Sequence, residues 1–300
     1  MSGKDRLTEL GYAAGWRTVR ALPLPVARAI FNVGADRSYK ANGPGTQRLR
    51  RNLSMVLGPS ATAAELEAVV KAGLRSYARY WMEAFRLPSQ SRQQHLTNFR
   101  LETHDELAAA MAAGKGAILA LPHVGNWDAA AAYVVSNGWP MITVAERLKP
   151  EAVFEQFVAY REKLGMEVVP LTGGQRAPLD VLAEKATKGY AIALLADRDL
   201  SARGVEVTFF GGRTRMPPGP ALLALRTGAP LYAADIWFTD TQAVAKMRRI
   251  EMPDPAEGAL DVRAKLVTQR LADAFAIGIA EHPQDWHMLQ KLWLDQPARV

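Results

Sequence analysis

A chain of 300 residues, 49% of them hydrophobic and 22% charged, has the apolar material for one large α/β domain or two small ones, and its composition excludes a disordered polymer. Its net charge of +7 favours anionic partners such as phospholipid, coenzyme phosphates or nucleic acid. The absence of cysteine excludes a thiol nucleophile, a thiolate metal site and any disulfide framework.

The first 100 residues read as helical. Met1 to Arg20 carries Asp5 and Glu9 among scattered arginines, which makes a poor signal peptide. Val26, Ala29, Ile30 and Val33 form one helical stripe. Leu49, Leu53, Val56 and Leu57 form a second, with Arg48, Arg50 and Arg51 around it. A longer helix carries Leu66, Val70, Leu74, Tyr77, Trp81 and Phe85, and Pro88 ends it. The basic helices suit either an anionic lipid surface or ordinary core packing with a solvated face.

From about residue 103 the pattern changes. Thr103 and Glu106 suggest a capping box. Buried strands are expected at Ala117–Leu121, Met141–Ala145, Met166–Leu171, Tyr190–Ala196 and Leu231–Phe238, and an edge-like strand at Ala243–Ile250. Helices fall at about 126–137, 150–164, 177–188, 219–227 and 259–281. Alternation of this kind predicts an α/β fold: a mixed, mostly parallel central sheet flanked by helices, behind a helical N-terminal section. Residues 1–300 are expected to form one domain, with 1–100 helical and 101–300 the α/β core. No apolar run approaches the ~18–20 residues of a membrane-spanning helix, so the expected place is the cytoplasm or the inner membrane face.

Candidate chemistry gathers at strand ends. His123 follows the first buried strand, and Asp128 falls in the first turn of the next helix. That edge is where ligands bind in open α/β sheets. A carboxylate on one ring nitrogen fixes the imidazole's tautomer while the other faces a substrate hydroxyl. The spacing alone is weak, and the blander reading is a structural histidine near a helix cap. Asp197 and Arg198 close another strand, where a plain loop ion pair is the alternative. Glu146 and Arg147 close a third, with Arg161 in the helix beyond. His95 and His104 read as surface residues, and His282 and His287 as structural ones. No serine-hydrolase elbow, phosphate-binding loop or dinucleotide fingerprint occurs.

These residues also carry a resemblance. His123 to Asp128 resembles the H-x-x-x-x-D signature of the glycerolipid and lysophospholipid acyltransferases, and the preceding Asn126 and Trp127 resemble their lipid A branch. Gly204 to Gly219 and Leu225 to Pro230 are similar to that branch's phenylalanine-glycine turn, glycine-opened helix and strand lead-in. Five more segments, Leu10–Arg17, Ser76–Trp81, Thr143–Pro150, Pro170–Gly174 and Asp285–Gln290, resemble the actinobacterial phosphatidylinositol mannoside acyltransferases.

The resemblance implies transfer of a long acyl chain, palmitoyl, from acyl-CoA to the mannose 6-hydroxyl of a phosphatidylinositol mannoside. It implies acyl-CoA as co-substrate without other cofactor or metal, an apolar acyl groove and peripheral attachment to an anionic inner leaflet. His123 takes the part of general base and Asp128 that of its partner. Asp197 joins the catalytic group, and Glu146, Arg161 and Arg198 bind substrate. Mycobacterial members carry Glu where this chain has Asp197, one methylene shorter, so the resemblance leaves open whether Asp197 makes a direct contact. Competing readings are another glycolipid or lysophospholipid acceptor, a metal-dependent hydrolase using His123, Asp128 and Asp197, and a non-catalytic membrane-surface protein. Nucleic-acid binding ranks below these, since no recognition motif accompanies the charge.

Overall fold

The structure, a computed structural model, describes residues 18–146, 151–199 and 203–295. The segment Leu10–Arg17, most of the N-terminal stretch read against a signal peptide, and Arg147 lie outside the described residues. After helical residues 18–21 come three longer helices: α1 (Leu24–Ala41), α2 (Pro44–Leu57) and α3 (Ala63–Arg86). Thr62 caps α3 with a full capping box, its hydroxyl accepting from Glu65 N at 3.2 Å while the Glu65 carboxylate accepts from Thr62 N at 2.7 Å. The helix stops at Arg86, where Leu87–Ser89 tightens into a 3₁₀ turn around Pro88.

The expected second stripe is core: Leu49 and Leu53 on α2 are fully buried, each contributing about 1.5–3 kcal/mol relative to exposure. The first is not. Val26, Ile30 and Val33 are among the most exposed large apolar residues of the described chain, and α1 packs on α3 through smaller residues, with Ala27 and Ala35 buried.

Beyond the short helix α4 (Arg92–Thr97), strands and helices alternate as β1 (Phe99–Leu101), α5 (His104–Ala112), β2 (Ala117–Leu121), α6 (Trp127–Ser136), β3 (Met141–Ala145), α7 (Glu151–Lys163), β4 (Glu167–Pro170), α8 (Pro178–Thr187) and β5 (Ala191–Leu195). A two-stranded hairpin, β6 (Val205–Phe209) and β7 (Gly212–Met216), precedes α9 (Gly219–Thr227), β8 (Leu231–Phe238), β9 (Ala243–Arg249) and α10 (Leu260–Glu281).

Among the described residues the main sheet runs β1-β9-β8-β2-β5-β3-β4. Every neighbouring pair is parallel except β8 with β9. This is the mixed, mostly parallel α/β sheet expected. β2 is buried along its whole length, as a strand covered on both faces must be.

Three local expectations change. β9 is not at the edge: β1 pairs parallel beyond it, Phe99 opposite Ala243. Thr103 does not cap α5 with its side chain; its hydroxyl instead accepts from Met247 N at 3.0 Å, tying the helix to β9. His95 and His104 are half-buried and bonded, His95 to Ser136 and the Leu87 carbonyl, His104 to the Tyr133 hydroxyl at 2.8 Å.

Candidate active site

Parallel pairing of β2, β5 and β3 carries the residues that follow them to one edge of the sheet. His123 follows β2, Glu146 follows β3, and Asp197 follows β5, the direct neighbour of β2. Gly125 makes the turn out of β2 possible. Its φ is +52°, and a Cβ there would sit 2.7 Å from Ile236 of β8. Asn126 then starts α6, its side-chain oxygen accepting from Ala129 N at 2.9 Å.

His123 meets Asp197, not Asp128. Its Nδ1–H donates to Asp197 Oδ1 at 2.5 Å, and its backbone N–H donates to Oδ2 at 2.9 Å. The Trp286 indole N–H completes the set, donating to Oδ2 at 3.0 Å. Asp197 is entirely shielded from solvent. Burial works against its charge, but the imidazole and these three donors outweigh it and hold the carboxyl below its usual range. An ionised carboxylate on Nδ1–H leaves Nε2 as the nitrogen free to accept a proton. The direct contact also answers the question of reach: one methylene fewer suffices because β5 lies against β2.

Asp128 is turned away by the first turn of α6. It accepts from the Tyr80 hydroxyl of α3 at 2.9 Å and from Arg161 Nε of α7 at 3.1 Å. Burial opposes the charge of Arg161, and Asp128 beside it outweighs that and raises its pKa. The expected His123–Asp128 pair is therefore replaced by two adjacent units, His123–Asp197 and Asp128–Arg161–Tyr80. The Trp127 ring stands between them, edge-on to the imidazole at 5.7 Å and against Tyr80 at 4.0 Å.

Both units open on one cavity of about 270 Å³, whose lining includes His123, Asp128, Glu146, Arg161 and Arg198. Asp197 stands behind its wall. Arg198 faces Glu146 at 3.9 Å, and its Nε is buried with no hydrogen-bond partner among the described residues. Trp81, Phe157, Met141, Val144 and Leu195 supply apolar wall. A drier space of about 40 Å³ lies behind, sharing Leu121, Trp127, Ala131, Met141 and Ala193.

The sequence did not mark Tyr80, Trp286 or His287 as site residues. Asp285–His287 lies against 123–125, with Gly125 N donating to the Asp285 carbonyl at 2.9 Å and His287 N to the His123 carbonyl at 2.7 Å. His287 lines the cavity and is 5% exposed. The signal that could have found it is the segment Asp285–Gln290, already singled out as a motif. Among the described residues no three His, Asp or Glu side chains converge as a metal-ligand set.

The chain is similar to known proteins along nearly its whole length. Residues 5–295 match the family model described as bacterial lipid A biosynthesis acyltransferase. A phosphatidylinositol mannoside acyltransferase of Mycolicibacterium smegmatis is 50% identical over 290 residues, covering 96% of this chain and 92% of that one. Its counterpart from Mycobacterium tuberculosis is 46% identical over 289 residues, covering 96% and 89%.

Proposed function

We propose, since the chain belongs to the bacterial lipid A biosynthesis acyltransferase family, that it transfers a long acyl chain, palmitoyl, from acyl-CoA to the mannose 6-hydroxyl of a phosphatidylinositol mannoside. The observation that carries this reading is a histidine with one nitrogen held by a buried carboxylate and a side-chain exposure of 24%, set in the wall of a largely apolar cavity. The relatives' names supply the acceptor.

His123 Nε2 takes the proton of the attacking hydroxyl as its oxygen bonds to the thioester carbonyl carbon. Asp197 stabilises the imidazolium that forms. Arg161 and Arg198, both in the cavity wall, are the cations at hand for the oxyanion. When the tetrahedral intermediate collapses, the carbon–sulfur bond breaks and His123 returns the proton to the departing thiolate. The products are the new ester and the free thiol. General-base catalysis supplies about 10²–10⁴-fold, so positioning and oxyanion stabilisation carry the rest. The apolar wall of Trp81, Phe157, Met141, Val144 and Leu195 suits the start of the acyl tail, while Glu146 and the Asp128–Arg161 unit give the sugar side polar partners.

The exposed stripe on α1, Leu24, Val26, Ile30 and Val33, shares its helix with Arg28, Arg37 and Lys40. An apolar face flanked by cations suits the surface of an anionic leaflet. Among the described residues no helix is long and apolar enough to cross a membrane, and the proposed attachment is peripheral.

The test is incubation of the purified protein with labelled palmitoyl-CoA and a panel of lipid acceptors, beside His123→Ala. Label on a mannosylated inositol lipid, lost in the variant, is expected. Label confined to lysophospholipid would replace the acceptor, and a variant with normal turnover would remove His123 from the mechanism.

A further inference from the structure

The short antiparallel pairing of 123–125 with 285–287 sets Val124 opposite Trp286, and therefore His123 opposite His287. Opposed residues of such a pair leave on the same side, with Cβ atoms about 4.5–5.5 Å apart. Two imidazoles thus stand side by side in the wall of one cavity. One has its tautomer set by Asp197. The other has its own, separate arrangement.

His287 Nε2 lies 2.9 Å from the Ser76 hydroxyl, and that hydroxyl lies 2.5 Å from Asp285 Oδ1. Burial raises the Asp285 pKa, and the donors on it oppose that rise and favour the ionised form: Ser76 on one oxygen, and on the other Phe238 N at 3.1 Å and the Gln284 amide at 3.3 Å. Ser76 has one proton to give, and the carboxylate takes it. The serine oxygen must then accept, so the proton on His287 is at Nε2. Nδ1 is left as a bare lone pair. It is buried, and no described protein group donates to it. Burial, with the nearby His123, lowers the His287 pKa to about 3, so the ring is neutral across the working range. A Ser, His and Asp in contact invite comparison with a hydrolytic triad, but here the serine sits in the middle and serves as a relay rather than a nucleophile.

We propose that His287 Nδ1 accepts a hydrogen bond from a second hydroxyl of the acceptor, with Ser76 and Asp285 as positioning residues that hold its tautomer. The proposal rests on the acyl-transfer reading and deepens it. The reacting hydroxyl donates to His123 Nε2 while a neighbouring hydroxyl on the same sugar donates to His287 Nδ1. A polyol satisfies both imidazoles. A simple alcohol, with one hydroxyl, satisfies one and leaves a buried acceptor unmet, which is how a site rejects a molecule lacking the group it was built to bind.

The experiment has a spectroscopic arm and a kinetic arm on the full chain. With ¹⁵N-labelled histidine, His287 Nδ1 is expected to resonate as an unprotonated nitrogen. It is expected to shift when methyl α-mannoside is added but not with propan-1-ol, and Ser76→Ala should mix the tautomers. In kinetics, His287→Phe, which keeps a ring but no acceptor, should raise KM for the sugar acceptor by about tenfold or more. The loss should fall on KM more than on kcat, and His287→Gln, which restores an acceptor, should recover part of it. A proton found on Nδ1, a tautomer indifferent to Ser76→Ala, or a loss in His287→Phe that falls on kcat with KM unchanged overturns the proposal. A wild-type protein that transfers acyl groups to no sugar lipid overturns the acyl-transfer reading instead, and the mannoside titration then decides the Nδ1 assignment by itself.

Discussion

Asp197 and Asp128 invite a direct comparison, because either carboxylate could have served His123 and the contacts favour one. Replacing Asp197 by Asn puts an amide where three N–H groups converge. The amide cannot accept all three, and its own N–H₂ favours the imidazole tautomer with the proton on the wrong nitrogen. We expect kcat to fall about 10²–10⁴-fold. Asp128→Asn keeps the Tyr80 hydrogen bond and weakens the hold on Arg161, so its loss should be smaller and should fall more on KM. Single-turnover acyl transfer on both variants, with thermal unfolding as the control, separates them. Equal losses in kcat would return Asp128 to the role the sequence suggested for it.

Two buried titratable groups give the stability of the protein opposing dependences on pH. His287 has its pKa lowered to about 3 by burial and His123. The unfolded chain protonates first as pH falls below about 6.5, so this contribution is lost between pH 6.5 and 3, by at most about 1.4 kcal/mol per pH unit. Asp235 on β8 goes the other way. It is 4% exposed, with Arg248 3.0 Å away, and burial raises its pKa to about 7. Here the folded state binds the proton first, so the benefit is present below about pH 4 and lost as pH rises through 7. Asp235→Asn should therefore remove the decline between pH 5 and 8 without touching the acid limb set by His287. Urea unfolding at pH 5, 6.5 and 8 measures it, and an unchanged slope would show that Arg248 already neutralises the cost.

At the scale of elements, β2, β3, β8 and α9 stand at their expected positions, because each is an apolar run or amphipathic turn bounded by glycine, proline or a cap. β1 has three residues, too short for any periodic signal. The β6–β7 hairpin alternates exposed and buried positions, but its charged residues and short strands drew no element assignment from the sequence. The α1 stripe was visible but its partner was not, since periodicity shows that a face is apolar without saying what covers it. If lipid covers it, Ile30→Asp with Val33→Asp should abolish co-sedimentation with anionic vesicles and leave hydrolysis of soluble acyl-CoA intact. Equal binding by wild type and variant would move the membrane contact elsewhere. The turn after β2 is more demanding. Gly125→Ala must put a Cβ at positive φ against Ile236, so we expect a loss of about 1–3 kcal/mol and a larger loss of activity, as His123 is carried off its partner.

At the scale of the molecule, three strand ends could be read from sequence as delivering polar residues to one edge, but strand order could not. That order decides which carboxylate meets His123. Because β5 is the neighbour of β2, Asp197 reaches His123 across 74 positions, while Asp128, five positions away, starts a helix that aims it at α3 and α7. Sequence proximity pointed to a carboxylate that the structure pairs with Tyr80 and Arg161 instead, because a helix's first turn fixes direction as firmly as distance.

The pairing of 123–125 with 285–287 also bears on the order in which the working molecule comes into being. Trp286 supplies one of the donors on Asp197, and His287 stands in the cavity wall, so neither carboxylate nor cavity is complete until residues 285–287 are made. At about 5–20 residues per second of synthesis, His123 waits roughly 8–30 s for these companions. A nascent chain thus holds the apolar cavity walls before it holds Trp286 and His287, and the site is assembled only once residues 285–287 have been made and paired with 123–125.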